Sequence, residues 1–263
     1  MPILLPPDLC RLSEADFAQK TYEAMEVIFA IHNSMGRLFD ELIYKRAIAS
    51  ALPGALAEVP IDVVFDSFRK RYFIDLLVHN GIVLELKAVE HLLDRHRAQL
   101  LHYLLLLGLP HGKLVNLRCD LVEHEFVNAP LTRAQRIAFS IEASGYHKTA
   151  GQLVDILDIV VSVLRDWGTC LDGNLYEEAL VHFLGGKDRV CQVLDINHGG
   201  KSIGQTEILL AAPSTGLKIT TLNKDLAKFE EHTIRFLNHT PLSRMQWINI
   251  ARNQLTIKTL RKS

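Results

Sequence analysis

Asp75 stands in the apolar run Phe73-Ile74-Asp75-Leu76-Leu77-Val78, and ten residues later Glu85 opens the triplet Glu85-Leu86-Lys87. Two carboxylates with carbonyl and water oxygens make a hard-oxygen site suited to Mg2+ or Mn2+, ions that keep several waters and bind through few carboxylates plus substrate phosphate. A lysine beside them lowers the cost of negative charge in a transition state, or orients a nucleophile that the metal has made more acidic. The chemistry such a set suits is metal-dependent hydrolysis of a phosphodiester. Glu41 and Tyr44, three apart, and Gln99 and Tyr103, four apart, share helix faces if their segments are helical. Glu41 is then a further metal ligand, direct or through water, while Gln99 and Tyr103 hold the lysine or contact the phosphate backbone. A plainer reading stands beside this one. A structural salt bridge from Asp75 to Lys87 explains both residues equally well, because a buried carboxylate is costly unless paired or metal-bound.

To bring these side chains together the chain needs a hairpin and two helices. Residues two apart on a strand share a face, so Glu85 and Lys87 emerge together while Leu86 packs into the core. The turn His79-Asn80-Gly81, between residues 72–78 and 82–88, predicts a hairpin that lays Asp75 beside them. Upstream, Ser13-Glu14-Ala15-Asp16 opens a helix that runs to Gly36, and Asp40 opens a second that stops at Pro53-Gly54. A strand over 59–65, a helix over 92–107, and strands over 113–117 and 123–127 complete the order α, α, β, β, β, α, β, β.

With 263 residues, 48% of them hydrophobic, the chain can bury a full core as one large domain or two small ones. A formal net charge of -1 excludes a surface coated in basic residues. Any nucleic-acid contact therefore falls on local patches such as Arg69-Lys70-Arg71 and Arg95-His96-Arg97. Cys10, Cys119, Cys170 and Cys191 show neither a C-x-x-C pair nor zinc spacing, which points to a reducing cytoplasm. The opening residues, Met1 to Pro7, lack the basic region of a signal peptide, and no apolar run approaches a membrane span. Gly199-Gly200-Lys201-Ser202 resembles the tail of a P-loop but has Ile196 where the first glycine belongs, so it reads as a loop.

Shifting the chain by 132 residues pairs Gly36 with Gly168, Asp40 with Asp172, Tyr44 with Tyr176, Ala47 with Ala179, Leu52 with Leu184 and Gly54 with Gly186. Six identities in the nineteen positions 36–54 exceed the about one expected from residue frequencies. A shift of 133 pairs Val115-Asn116-Leu117 with Ile248-Asn249-Ile250. The chain therefore reads as two domains, 1–130 and 131–263, the second a diverged copy of the first entered through a helical stretch over 131–167. A shift of 132 sets Gly173 opposite Glu41 and Glu207 opposite Asp75, and one of 134 sets Ile219 and Thr221 opposite Glu85 and Lys87. His232 and Phe236 stand opposite Gln99 and Tyr103. Only Glu207 remains as a possible acid, and the second copy is expected to be catalytically inactive, with Lys258, Arg261 and Lys262 as candidate phosphate contacts.

The first half resembles the GxxExxY family of the PD-(D/E)XK nuclease superfamily. The resemblance is carried, in order, by Gly36-Arg37-Leu38-Phe39-Asp40-Glu41-Leu42-Ile43-Tyr44, Ile74-Asp75-Leu76-Leu77-Val78, Leu84-Glu85-Leu86-Lys87-Ala88, Ala98-Gln99-Leu100-Leu101-His102-Tyr103-Leu104 and Gly112-Lys113-Leu114-Val115-Asn116-Leu117. It spans about residues 17–127, with four residues between Gly36 and Glu41 where the name motif has two. It implies an α/β fold of two restriction-endonuclease-like modules, each a mixed central β-sheet flanked by α-helices. It implies Asp75, Glu85 and Lys87 as the catalytic set, Glu41 as the helix-borne acid, and Gln99 and Tyr103 on the following helix. The expectation is a Mg2+-dependent (or Mn2+-dependent) endo- or exonuclease with Asp75, Glu85 and Glu41 on the metal. Its partner is nucleic acid, DNA ahead of RNA and no membrane, and it works as a homo-oligomer or an intramolecular pseudo-dimer. The rival from another class is a non-catalytic nucleic-acid-binding or regulatory protein that keeps the fold, and a third reading is a phosphodiesterase of small nucleotides.

Overall fold

The computed structural model describes residues 3–4, 8–149 and 155–263, so the opening residues discussed above lie mostly outside it. The chain divides into two units, Met1–Thr132 and Arg133–Ser263. The first contains β1 (Ile3–Leu4), α1 (Glu14–Met35), α2 (Glu41–Ala51), β2 (Ala55–Phe65), β3 (Phe68–Val78), β4 (Ile82–Lys87), α3 (Asp94–Leu107), β5 (His111–Asn116) and β6 (Glu123–Asn128). Its six strands lie in chain order, antiparallel except for β4 and β5, which run parallel and are joined across α3. Local sequence explains these limits. Ser13 caps α1 by accepting from the Asp16 amide at 3.1 Å, and Gly36 ends it at φ +73°. The β3–β4 turn has positive φ at both His79 and Asn80, the conformation that matches strand twist. Gly81 follows because a Cβ there would stand 2.8 Å from the Cys10 carbonyl oxygen.

All six residues of β4 are buried, which places this strand at the centre of the unit. Leu76, Val78, Ile82, Leu84 and Leu86 pack with Ile28, Tyr44 and Ile48 into one core under α1 and α2. By strand alternation Asp75, Glu85 and Lys87 leave that core and face the other way.

The second unit contains α4 (Arg133–Ile137), β7 (Ser140–Glu142), α5 (Ile156–Trp167), α6 (Gly173–Phe183), α7 (Lys187–Val190), β8 (Cys191–His198), β9 (Lys201–Ala212), β10 (Thr215–Thr220), α8 (Leu226–Asn238), β11 (Arg244–Ile250) and β12 (Gln254–Arg261). The helical stretch expected over 131–167 is thus broken into a short helix, a strand and α5, with residues 150–154 outside the described part. Asn253 explains part of the break: its carbonyl accepts from the Ser140 amide at 2.9 Å and holds β7 beside β12. Gly199 and Gly200 form the tip of the β8–β9 hairpin, as a loop reading requires.

The strand order is β7-β12-β11-β10-β9-β8, and again one neighbouring pair within the series β8 to β12, β10 with β11, is parallel across a helix. Specific polar contacts recur with it. Tyr44 donates to the carbonyl of the helix-ending Gly36 at 2.5 Å and accepts from the Phe39 amide. Tyr176 donates to the carbonyl of Gly168 at 2.7 Å and accepts from the Leu171 amide. Asn116 bridges both backbone groups of Val89, and Asn249 bridges both of Leu222.

Tyr176→Phe leaves two buried backbone groups unpartnered, a loss of about 1–3 kcal/mol. Both tryptophans, Trp167 and Trp247, lie in the second unit, so urea unfolding followed by tryptophan fluorescence should show a lowered midpoint. An unchanged midpoint would mean that this contact contributes nothing to the unit.

Candidate active site

Strand pairing brings β3 against β4 at Leu76 and Leu84, and just beyond this pair the Leu86 amide donates to Asp75 Oδ2 at 2.9 Å. Lys87 Nζ lies 2.6 Å from Glu85 Oε1, 4.0 Å from Asp75 Oδ2 and 3.9 Å from Glu41 Oε2 at the first turn of α2. Three of the expected acids therefore ring one ammonium. Gln99 donates to Tyr103 Oη at 3.2 Å; Gln99 is exposed and Tyr103 buried. The expected hold of this pair on Lys87 is not among the hydrogen bonds formed by the described residues.

Sequence reasoning missed a second cation. Lys45, one turn along α2 from Glu41, is buried and reaches Asp75 Oδ1 at 2.5 Å and the Glu58 carboxylate. Its spacing of four from Glu41 was the available signal. Glu58 sits at φ +53°, and the β2–β3 pairing passes over Glu58 and Asp75, from Ala57–Leu76 to Val59–Ile74, without a change of register.

The electrostatics follow from burial. Glu85 is 1% exposed and its Oε2 has no hydrogen-bond partner among the described residues. Desolvation, then the Asp75 charge, push its pKa up to about 7, with Lys87 opposing. Burial likewise raises Glu41. Burial works against the Lys45 charge, but its bonds to Asp75 and Glu58 outweigh this and hold it above the ordinary lysine range. Tyr103 is raised by burial, with the Gln99 hydrogen bond opposing.

Four carboxylates, Glu41, Glu58, Asp75 and Glu85, thus face two ammonium groups. Among the described residues no three His, Cys, Asp or Glu side chains form a ready-made metal cage, because Lys45 and Lys87 stand between the acids. The donor set nonetheless fits a divalent ion in charge and in kind. It has negative charge left over, hard oxygens only, and one buried carboxylate oxygen with nothing to bind.

One arginine of each basic cluster is paired with acids of the unit. Arg71 makes a two-pronged contact with Asp62 at 2.6 and 2.8 Å, and Arg97 reaches Asp94 and Glu125. His96 accepts from the Leu93 amide at 3.1 Å at the start of α3.

The second unit corrects the pairing given above. Lys87 pairs with Asn116 across the parallel strands, and Thr220 pairs with Asn249. Because the two asparagines make the same bridge, Thr220 stands where Lys87 does, and Lys218 rather than Ile219 where Glu85 does. Leu76 pairs with Leu84 and Leu209 with Leu217, which puts Ile208, not Glu207, at the place of Asp75. Glu207 faces away, held by Lys187 at 3.1 Å and by the Cys191 thiol at 2.7 Å. Of the proposed phosphate contacts, Lys258 is bound to Glu230 at 2.6 Å and Lys262 to the Thr240 carbonyl at 2.9 Å.

A strand-borne Asp and Glu-x-Lys thus meet a helix-borne acid on one mixed sheet. Residues 18–128 match the model of the PD-(D/E)XK nuclease superfamily, a span that contains all the residues of this site. No curated protein matches the chain. A solved structure that is similar, the crystal structure of SSO0001, is 23% identical, with a TM-score of 0.29 over 46% of this chain. The chain spans 61% of the length of that protein.

The Glu85 pKa gives a signed expectation. Between its ordinary 4.5 and about 7, the folded chain keeps a proton that the unfolded chain has lost, so this group's contribution to stability falls as pH rises through that window. In EDTA, Glu85→Gln should gain stability relative to wild type from pH 4.5 to pH 7, as measured by thermal unfolding. A pH-independent difference would remove the buried-acid account.

Proposed function

We propose that this chain is a divalent-metal-dependent nuclease, hydrolysing nucleic acid at the Asp75, Glu85 and Lys87 site of its first unit. The observation that carries this reading is the convergence of Asp75, Glu85 and Glu41 on Lys87 around an unsatisfied buried carboxylate oxygen. Asp75, Glu85 and Glu41 would hold Mg2+ or Mn2+, which supplies Lewis-acid neutralisation of the phosphate and a lowered pKa for water. Lys87 donates to the negative charge that builds on the phosphate oxygens and orients the attacking water. Lys45 fixes Asp75 from the side of α2. Tyr103, steadied by Gln99, lines the α3 side, where its hydroxyl can meet the phosphate backbone.

The second unit is, in this reading, a diverged copy from a tandem duplication of the GxxExxY type, without catalysis, because Ile208, Lys218 and Thr220 replace Asp75, Glu85 and Lys87. It gives the chain an intramolecular pseudo-dimer. DNA is preferred to RNA as substrate, and the four free cysteines suit the cytoplasm. Among the described residues no helix is long and apolar enough to cross a membrane. One observation favours the rival reading of a non-catalytic nucleic-acid-binding or regulatory protein: both lysines already contact the acids that a metal would use.

The two readings part in an assay of single- and double-stranded DNA and RNA with Mg2+, Mn2+ or EDTA. Wild type should cleave only with metal, and Lys87→Ala and Asp75→Asn should each lose at least about a hundredfold in rate. Asn is chosen at 75 because it keeps an oxygen for Lys45 and for the Leu86 amide. Cleavage in EDTA, or full activity in Lys87→Ala, would remove the mechanism.

A further inference from the structure

The place in the second unit that matches the first unit's site is an open cleft of about 340 Å³ between α8 and strands β9 and β10, within the range of small-ligand sites, roughly 300–1,000 Å³. Its chemistry is inverted. Lys218 is exposed in the position of buried Glu85, and among the described residues it has no ion-pair partner. Ile208 replaces the second acid, and Glu207, at the rim, is already taken by Lys187 and Cys191. Above Lys218, Phe229, His232 and Phe236 recur at spacings of three and four along one face of α8 and line the same cleft.

A lysine without an ion pair in a cleft also lined by aromatic side chains is a pairing that binds single-stranded nucleic acid: the cation takes a backbone phosphate, and bases stack on the rings. We propose that the second unit binds a single-stranded segment of nucleic acid in this cleft, with a phosphate on Lys218 and a base against His232 and Phe236. The inference rests on the nucleic-acid reading above but requires no cleavage. Loss of the acids has turned a cation site into an anion site on the same scaffold.

The test is fluorescence anisotropy of a labelled single-stranded deoxythymidine oligomer in EDTA, where metal-dependent cleavage is silent. Lys218→Glu restores the acid found at this place in the first unit and should weaken binding on the order of tenfold, with a salt slope reduced by about one. Lys218→Arg should retain binding, and Lys228→Glu, exposed on α8 and outside the cleft lining, should change it much less. Equal binding by wild type and Lys218→Glu, equal weakening by Lys228→Glu, or no binding by wild type would overturn the proposal. Failure of the nuclease reading shows separately, as absence of metal-dependent cleavage by a chain that still binds.

Discussion

The first unit is organised around one costly placement: a carboxylate on the central, fully buried strand. Glu85 is shielded from water on β4, and its one ion-pair contact, to Lys87, leaves its second oxygen unsatisfied. Isolated buried carboxylates are expensive, and a charge left unpaired inside a protein costs more than a pair contributes. The neighbourhood is built to tolerate this. Asp75 is fixed by the Leu86 amide and by Lys45, Lys45 is itself shared with Glu58 on β2, and Glu41 stands at the helix start within reach of Lys87. A solely structural network would be expected to balance its charges, whereas this one keeps an excess of acid in a low-dielectric place.

What the two units share and what they do not separates scaffold from chemistry. The tyrosine that ties the helix-ending glycine, and the asparagine that bridges the strand after the site, are present in both. These contacts satisfy buried backbone groups, a need that any chain with this topology has. The acids and lysine are absent from the second unit, and nothing in its folding depends on them. At the matching place stand Lys218 and a row of aromatic side chains, so the same scaffold position carries the opposite charge.

Much of the first unit was legible in the sequence because its signals are local. Ser13, Gly36, Asp40 and the His79-Asn80-Gly81 turn mark element ends through backbone conformation and capping, and the alternation around Glu85 and Lys87 fixes which side chains share a face. Lys45 was not legible as a site residue, since its role arises only when α2 crosses β3. In the second unit the sequence comparison slipped by one on β9 and, in the other direction, by one on β10. The irregularities in register at Ile196–Asn197 and Thr215–Gly216 are invisible in the residue types, and a slip of one moves every side chain to the other face of a strand. That slip made Glu207 look like a surviving acid and hid Lys218.

The central claim is that the acid excess around Glu85 exists to hold a divalent cation. Titration calorimetry of Mn2+ into the whole chain near pH 7, repeated in buffers of different ionisation enthalpy, tests it most directly, because an ion that binds Glu85 must displace the proton this group carries. The account predicts binding accompanied by proton release, with both weakened in Glu85→Gln. Absence of Mn2+ binding, or binding that releases no proton and is unchanged in Glu85→Gln, would contradict it.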